Sequence, residues 1–236
     1  MASLSQVAYD HIRDKLRRGD FDPTYELSET KLVNELGISR TPIREAIRRL
    51  ESEGLLDQVP KRGTFVRRPS RREIEEIFQI RLLLEPFAAQ QAALHRKPEA
   101  LVPLEDLFQT MQNEVERFAA TEDHTQRHAL ICEHAVLDMQ FHELLLKAGG
   151  NERIAKIVSD AQILRLAMGF PLNVSYDALT ALPQTSREHA EILDFVQRGE
   201  ADAAHDAMTA HLTVGRDKTL RYFDWLESQS RSGAKQ

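Results

Sequence analysis

The chain has 236 residues, enough for two small domains with separate cores, and its 42% hydrophobic and 29% charged residues are ordinary for a globular protein. No run approaches the roughly 20 apolar residues of a membrane span, and the polar N-terminal segment offers no export signal. The single cysteine, Cys132, excludes an internal disulfide and fits a reducing cytoplasm, where it reads as a packed core thiol. The net charge of −6 is unevenly divided: residues 1–70 carry 13 Lys and Arg against 11 Asp and Glu, the remainder 18 against 26. Two domains with different tasks are expected, and the acidic second one would repel nucleic acid.

In chain order, Ser28 to Leu36 reads as a short amphipathic helix capped by Ser28 and ended by the turn residue Gly37. A second helix follows, with Ser39 as N-cap and Pro42 in the first turn, where its missing N–H costs nothing. Ile43, Ala46, Ile47 and Leu50 give this helix an apolar face, while Arg40, Thr41, Arg44, Arg48 and Arg49 are expected to point outward. Free N–H groups and the dipole at its start favour phosphate, and arginine pairs bidentately with guanine edges. A merely solvated basic helix is the alternative. The flanks argue against it, because Leu55 to Val66 reads as two short strands around the basic tip Pro60-Lys61-Arg62-Gly63. Helix, turn, basic helix and hairpin in that order make a winged helix-turn-helix.

The run Leu27-Ser-Glu, Leu36-Gly-Ile-Ser-Arg-Thr-Pro-Ile-Arg-Glu-Ala, Glu53-Gly-Leu-Leu and Arg62-Gly-Thr-Phe-Val66 resembles the DNA-binding domain of the GntR family of bacterial transcription regulators, over about residues 5–68. The resemblance implies DNA contacts at Ser39, Arg40, Thr41 and Arg44, with Arg62 and Gly63 at the wing tip. Thr30 holds the place where some relatives carry a further basic contact.

Beyond a short linker at residues 69–71, the chain is helical in period, with helices expected near 71–96, 98–120, 125–148, 151–168, 180–198 and 200–228. Pro86 should kink or divide the first of these. The stretch Gly169 to Ser175 reads as an irregular connection, and residues 229–236 as a disordered tail. The expected fold class is mainly α: a winged helix-turn-helix over residues 1–68, then an all-α bundle over 72–228.

Asp138 and His142, four apart, point from one side of a helix, and His189 and His211 sit on otherwise apolar stripes. Directed into one core, these four side chains would chelate a divalent first-row metal. Each histidine alone could equally be a hydrogen-bonded core residue. His134, one turn before Asp138, is a rival ligand, and His95, His124, His128 and His205 read as surface residues. Arg81 lies on the mostly apolar stripe of Ile74, Ile77 and Phe78. It must pair with Glu85 or receive a ligand carboxylate.

Asp138-Met-Gln-Phe-His142, Ala148-Gly-Gly-Asn151, Glu188-His189 and His211-Leu212 are similar to the helical ligand-binding domain (FCD) of the FadR subgroup of that family, over roughly residues 72–222. The resemblance implies a metal held by Asp138, His142, His189 and His211, with zinc favoured over nickel or manganese, and an arginine at the position of Arg81 facing the effector. The resulting expectation is a homodimeric transcription regulator, most often a repressor in this family. It would bind double-stranded operator DNA and respond to a small organic acid, with no enzymatic activity. A direct metal sensor and a metal-dependent hydrolase are the alternatives.

Overall fold

The computed structural model describes residues 3–18, 20–21, 26–67, 69–166 and 176–233. The chain forms two compact units, one built from Met1–Pro69 with Gln162–Pro171 and one from Ser70–Ala161 with Leu172–Gln236.

The first unit contains α1 (Leu4–Arg18), α2 (Glu29–Leu36), α3 (Arg40–Ser52), β1 (Leu56–Val59) and β2 (Gly63–Val66). Helix α1 was not foreseen, although Ala8, Ile12 and Leu16 recur at four-residue spacing and bury one stripe against α3. Their partners are Leu32, Ile43, Ile47, Leu50 and Leu56. Ser28 caps α2 by accepting from the Lys31 N–H, and Gly37 ends it in the left-handed region at φ +64, where a side chain would be strained. Ser39 has the extended backbone of an N-cap but makes no side-chain cap hydrogen bond. The expected cap is therefore one of conformation only, and Ser39 does not occupy the first-turn N–H groups of α3. Strands β1 and β2 pair antiparallel, Leu56 opposite Val66 and Val59 opposite Gly63. A backbone bond from Leu27 N–H to Thr64 O ties the segment before α2 to this wing.

The second unit holds α4 (Arg71–His95), α5 (Pro98–Ala120), α6 (His124–Ala148), α7 (Glu152–Leu166), α8 (Tyr176–Arg198) and α9 (Ala201–Gly233). Helix α4 starts with a capping box between Ser70 and Glu73 and packs most extensively on α9. It is not divided at Pro86: the helix runs on to His95, and the ring is buried with Ala88 and Ala89. Packing on that face outweighs one lost backbone bond. At the end of α6, a Cβ on Gly149 would lie 2.7 Å from the Ala88 carbonyl, so the close approach to α4 requires glycine.

Two further expectations are corrected. Helix α8 begins at Tyr176 rather than 180, and α9 continues to Gly233, so residues 229–233 are helical. Once a helix is established, each further residue gains a backbone bond, and the polar Ser-rich end does not stop it. Gly169 to Ser175, residues 234–236, and the side chains of Cys132 and His128 lie outside the described residues.

Candidate metal centre and nucleic-acid interface

Four side chains from three helices of the second unit meet. Asp138 and His142 come from one face of α6, His189 from α8 and His211 from α9, and their ligand atoms all lie within 4.8 Å of one another. His142, His189 and His211 are buried, and Asp138 is partly exposed. The His211 Nε2 is 3.2 Å from the Nε2 of His142 and 3.3 Å from that of His189. Asp138 Oδ1 stands 3.5 Å from His189 Nε2 and 3.9 Å from His142 Nε2. Ligand atoms about 2.0–2.1 Å from a tetrahedral ion are separated by about 3.3 Å, so the cluster has the size of a coordination shell.

Carboxylates stand beside two of the rings. His142 Nδ1 lies 2.6 Å from Glu85 Oε2, and His211 Nδ1 lies 2.8 Å from Glu188 Oε2. A neutral ring whose Nδ1 carries the proton toward a carboxylate turns the Nε2 lone pair the other way. Those two lone pairs then face each other at 3.2 Å, an arrangement that calls for a cation between them. His189 is placed differently, its ring stacked on Phe141 with centroids 4.2 Å apart.

The electrostatics disfavour the charged form of two of the rings, His142 and His189. Burial pushes the His142 pKa down, and the nearby Arg81 charge adds to this against the opposing pull of Glu85. Burial, followed by the neighbouring His211, holds His189 well below its ordinary value. Burial alone would raise the Glu85 carboxyl, but Arg81 and His142 outweigh it and hold Glu85 far below the usual carboxylate range. For Glu188 burial is likewise outweighed, chiefly by the hydrogen bond with His211.

Of the two roles open to Arg81, the structure contains the pair with Glu85. Arg81 Nε donates to Glu85 Oε1 at 2.6 Å, and both side chains are almost wholly buried. The fork is thus engaged inside the core, and Arg81 reaches the cluster through Glu85 and His142. Glu85 and Glu188 were missed as site residues. Glu188 adjoins His189 in sequence, but nothing local marks it as the partner of His211. His134 is not part of the cluster; its nearest charged neighbour is Glu114, at 3.5 Å. His95 and His124 are exposed, while His205 is half-buried beside Asp206.

In the first unit, Ser39, Arg40, Thr41, Arg44 and Arg48 are exposed together on α3. Arg44 Nε donates to both carboxylate oxygens of Glu29, at 3.1 and 3.0 Å, leaving its outer edge free of that pair. Arg49 is exposed as expected, but on another side of the helix, where it lies over the Tyr9 ring at 3.7 Å and donates to Gln6 and Glu53. It lies about 140° around the helix from Arg44, whereas Arg48 lies only about 40° away, and so it meets α1. Arg62 is exposed at the wing beside the half-buried Gly63, and Thr30 is exposed near the start of α2.

A winged helix-turn-helix with an exposed arginine-bearing helix, followed by a helical unit around an Asp/His cluster, is the architecture of a DNA-binding transcription regulator. Residues 4–66 match the family described as bacterial regulatory proteins, gntR family, and residues 76–214 match the FCD domain. The chain belongs to the GntR family of regulators that carry an FCD domain. It is 28% identical over 203 residues to the HTH-type transcriptional regulator YdhC of Bacillus subtilis (strain 168), covering 86% of this chain and 85% of the relative. With the HTH-type transcriptional repressor RspR of Escherichia coli (strain K12) it shares 26% identity over 213 residues, covering 89% and 86% of the two chains. Its fold is similar to that of E. coli McbR/YncC, with a TM-score of 0.76 at 18% identity over 94% of this chain and all of the other. A putative GntR regulator from Rhodococcus sp. RHA1 gives a TM-score of 0.72 at 23% identity, covering 93% and 98%. Among the described residues no helix is long and apolar enough to cross a membrane.

Proposed function

We propose that this regulator is a cytoplasmic, homodimeric repressor of operator DNA whose helical unit holds a divalent metal and senses a small carboxylic acid. The observation that carries the reading is the convergence of three imidazole Nε2 atoms and the Asp138 carboxylate, two of the rings standing beside carboxylates, the buried Glu85 and the partly exposed Glu188. A nitrogen-rich set with one oxygen suits zinc first, and nickel or manganese less well. When bound, the ion supplies a Lewis-acidic anchor for the carboxylate of the effector. Arg81 serves in this reading by holding Glu85 against His142, and would meet an effector carboxylate only by giving up that pair.

Repression is supported by the likeness to RspR, a transcriptional repressor. A second copy of the chain is supported by α4, whose outer face exposes Leu83 (76%), Phe87 (42%) and Leu94 (58%), an apolar stripe suited to an isologous contact. Two copies then present two α3 helices to two half-sites, with Ser39, Arg40, Thr41 and Arg44 at the groove and Arg62 and Gly63 at the wing. The effector changes operator affinity by binding one state of the dimer better than the other. Catalysis is not part of the reading, because the carboxylates beside the cluster, Glu85 and Glu188, are engaged by imidazoles rather than placed as bases toward a water.

The test is a thermal-shift and operator-binding series on zinc-loaded protein with mono- and dicarboxylic acids. Stabilisation by an acid, with loss of operator binding and dependence on His189 and His211, supports the reading. Release of DNA on metal addition alone, with no response to any acid, replaces it with a direct metal sensor.

A further inference from the structure

Two buried polar side chains lie outside the cluster and outside its carboxylate supports. Glu114 on α5 and His134 on α6 are each 6% exposed. His134 Nδ1 is 3.5 Å from Glu114 Oε2. Among the described residues, neither ring nitrogen of His134 nor Glu114 Oε2 takes part in a hydrogen bond. Buried polar atoms are almost always paired, and exceptions mark the place of a water, an ion or a ligand. Phe118 and Leu130, each one turn away on the same two helices, are buried with Leu182, and the Arg127 guanidinium lies over the Phe118 ring.

The position relates this pair to the metal cluster. His134, Asp138 and His142 stand on successive turns of one face of α6, so His134 is about 6 Å along the helix from Asp138.

Chemistry narrows which ligand group would satisfy both side chains. A carboxylate only accepts hydrogen bonds, and a neutral imidazole offers one donor and one acceptor. A hydroxyl donates to Glu114 and accepts from His134 with a single oxygen. A methyl group satisfies neither, and a second carboxylate would confront Glu114 with like charge.

We propose that Glu114 and His134 form a hydroxyl-recognising subsite, so that the sensed acid is a hydroxy acid whose hydroxyl lies several carbons from the carboxylate held at the Asp138 cluster. This rests on the carboxylate-sensing reading above and names the ligand class for it.

The experiment is calorimetric titration of zinc-loaded, full-length protein with matched acids: 4-hydroxybutanoate and 6-hydroxyhexanoate against butanoate, hexanoate, 6-aminohexanoate and adipate. At least one hydroxy acid should bind about tenfold or more tightly than its deoxy partner, since a site built for a hydroxyl rejects the analogue lacking it. In Glu114→Gln and His134→Phe that ratio should fall toward one, while deoxy-acid binding and zinc content are retained. Glu114→Gln, nearly isosteric, keeps the test decisive if His134→Phe fails to fold. An absent preference in the parent, or an unchanged ratio in the folded variants, overturns the subsite while carboxylate sensing stands. Preference for 6-aminohexanoate reassigns Glu114 to an ammonium and overturns it too. Failure of every acid to bind defeats carboxylate sensing, and the subsite with it.

Discussion

Glu85→Gln removes one charge and almost no volume at the point where the core ion pair meets the metal cluster. Glu85 is 1% exposed, accepts from Arg81 Nε at 2.6 Å and lies 2.6 Å from His142 Nδ1. Two separate losses follow. Stripping the partner from a buried guanidinium costs about 3–5 kcal/mol. For a chain of this size, that corresponds to a melting temperature roughly 6–20 °C lower in the metal-free protein. Removing the carboxylate that orients a ligand histidine should also weaken zinc binding by about 10–100-fold. Thermal melts of chelator-treated protein read the first loss, and competition with a chromophoric chelator reads the second. The double variant Arg81→Met/Glu85→Gln separates them. It removes both charges, so it should lose less stability than the two single changes combined, yet its zinc affinity should stay low. A Glu85→Gln protein with parental melting and parental zinc affinity would show that Glu85 neither balances Arg81 nor orients His142.

Three further outcomes are expected. Arg44→Ala should weaken specific operator binding by about 1–3 kcal/mol without lowering the melting temperature, and unchanged affinity in a quantitative gel-shift would remove Arg44 from sequence readout. Arg49→Ala should do the reverse: the stack on Tyr9 and the bond to Gln6 are lost, costing about 0.5–2 kcal/mol of stability, while the folded fraction binds operator as before. The metal-free protein should lose stability on acidification. His142 and His189 have folded-state pKa values below their ordinary value, so the unfolded chain, which protonates near 6.5, binds more protons as pH falls. Their stabilising effect is complete above about pH 6.5 and lost as pH drops through the folded values. Urea midpoints at pH 7.5 and 5.5 check this; equal midpoints would contradict buried neutral rings, and His189→Gln should narrow the gap.

The difference between what could and could not be read from the sequence follows from the range of each interaction. The recognition helix was legible because its signals are local: Ile43, Ala46, Ile47 and Leu50 at helical spacing, Pro42 in the first turn and Gly37 before it. Helix α1 carried a comparable signal in Ala8, Ile12 and Leu16 and could have been found the same way. Asp138 and His142 were legible as a pair because four residues return a helix to the same face. His189 and His211 sit on separate helices: their apolar stripes made them candidates, and the likeness to the FCD domain favoured the metal reading over that of ordinary core histidines. Glu85 shows where such reading stops. Its local partner, Arg81, is four residues away and fully accounts for it in one dimension. Its second partner, His142, is 57 positions further along the chain and is reached only because α4 packs on α6. Glu188 and Glu114 are of the same kind, polar residues on amphipathic helices whose meaning depends on which neighbouring helix they face. A burial pattern can say that such a carboxylate points inward, but only tertiary packing says what it meets there. That is why the candidate metal ligands could be named ahead of the carboxylates that stand behind them.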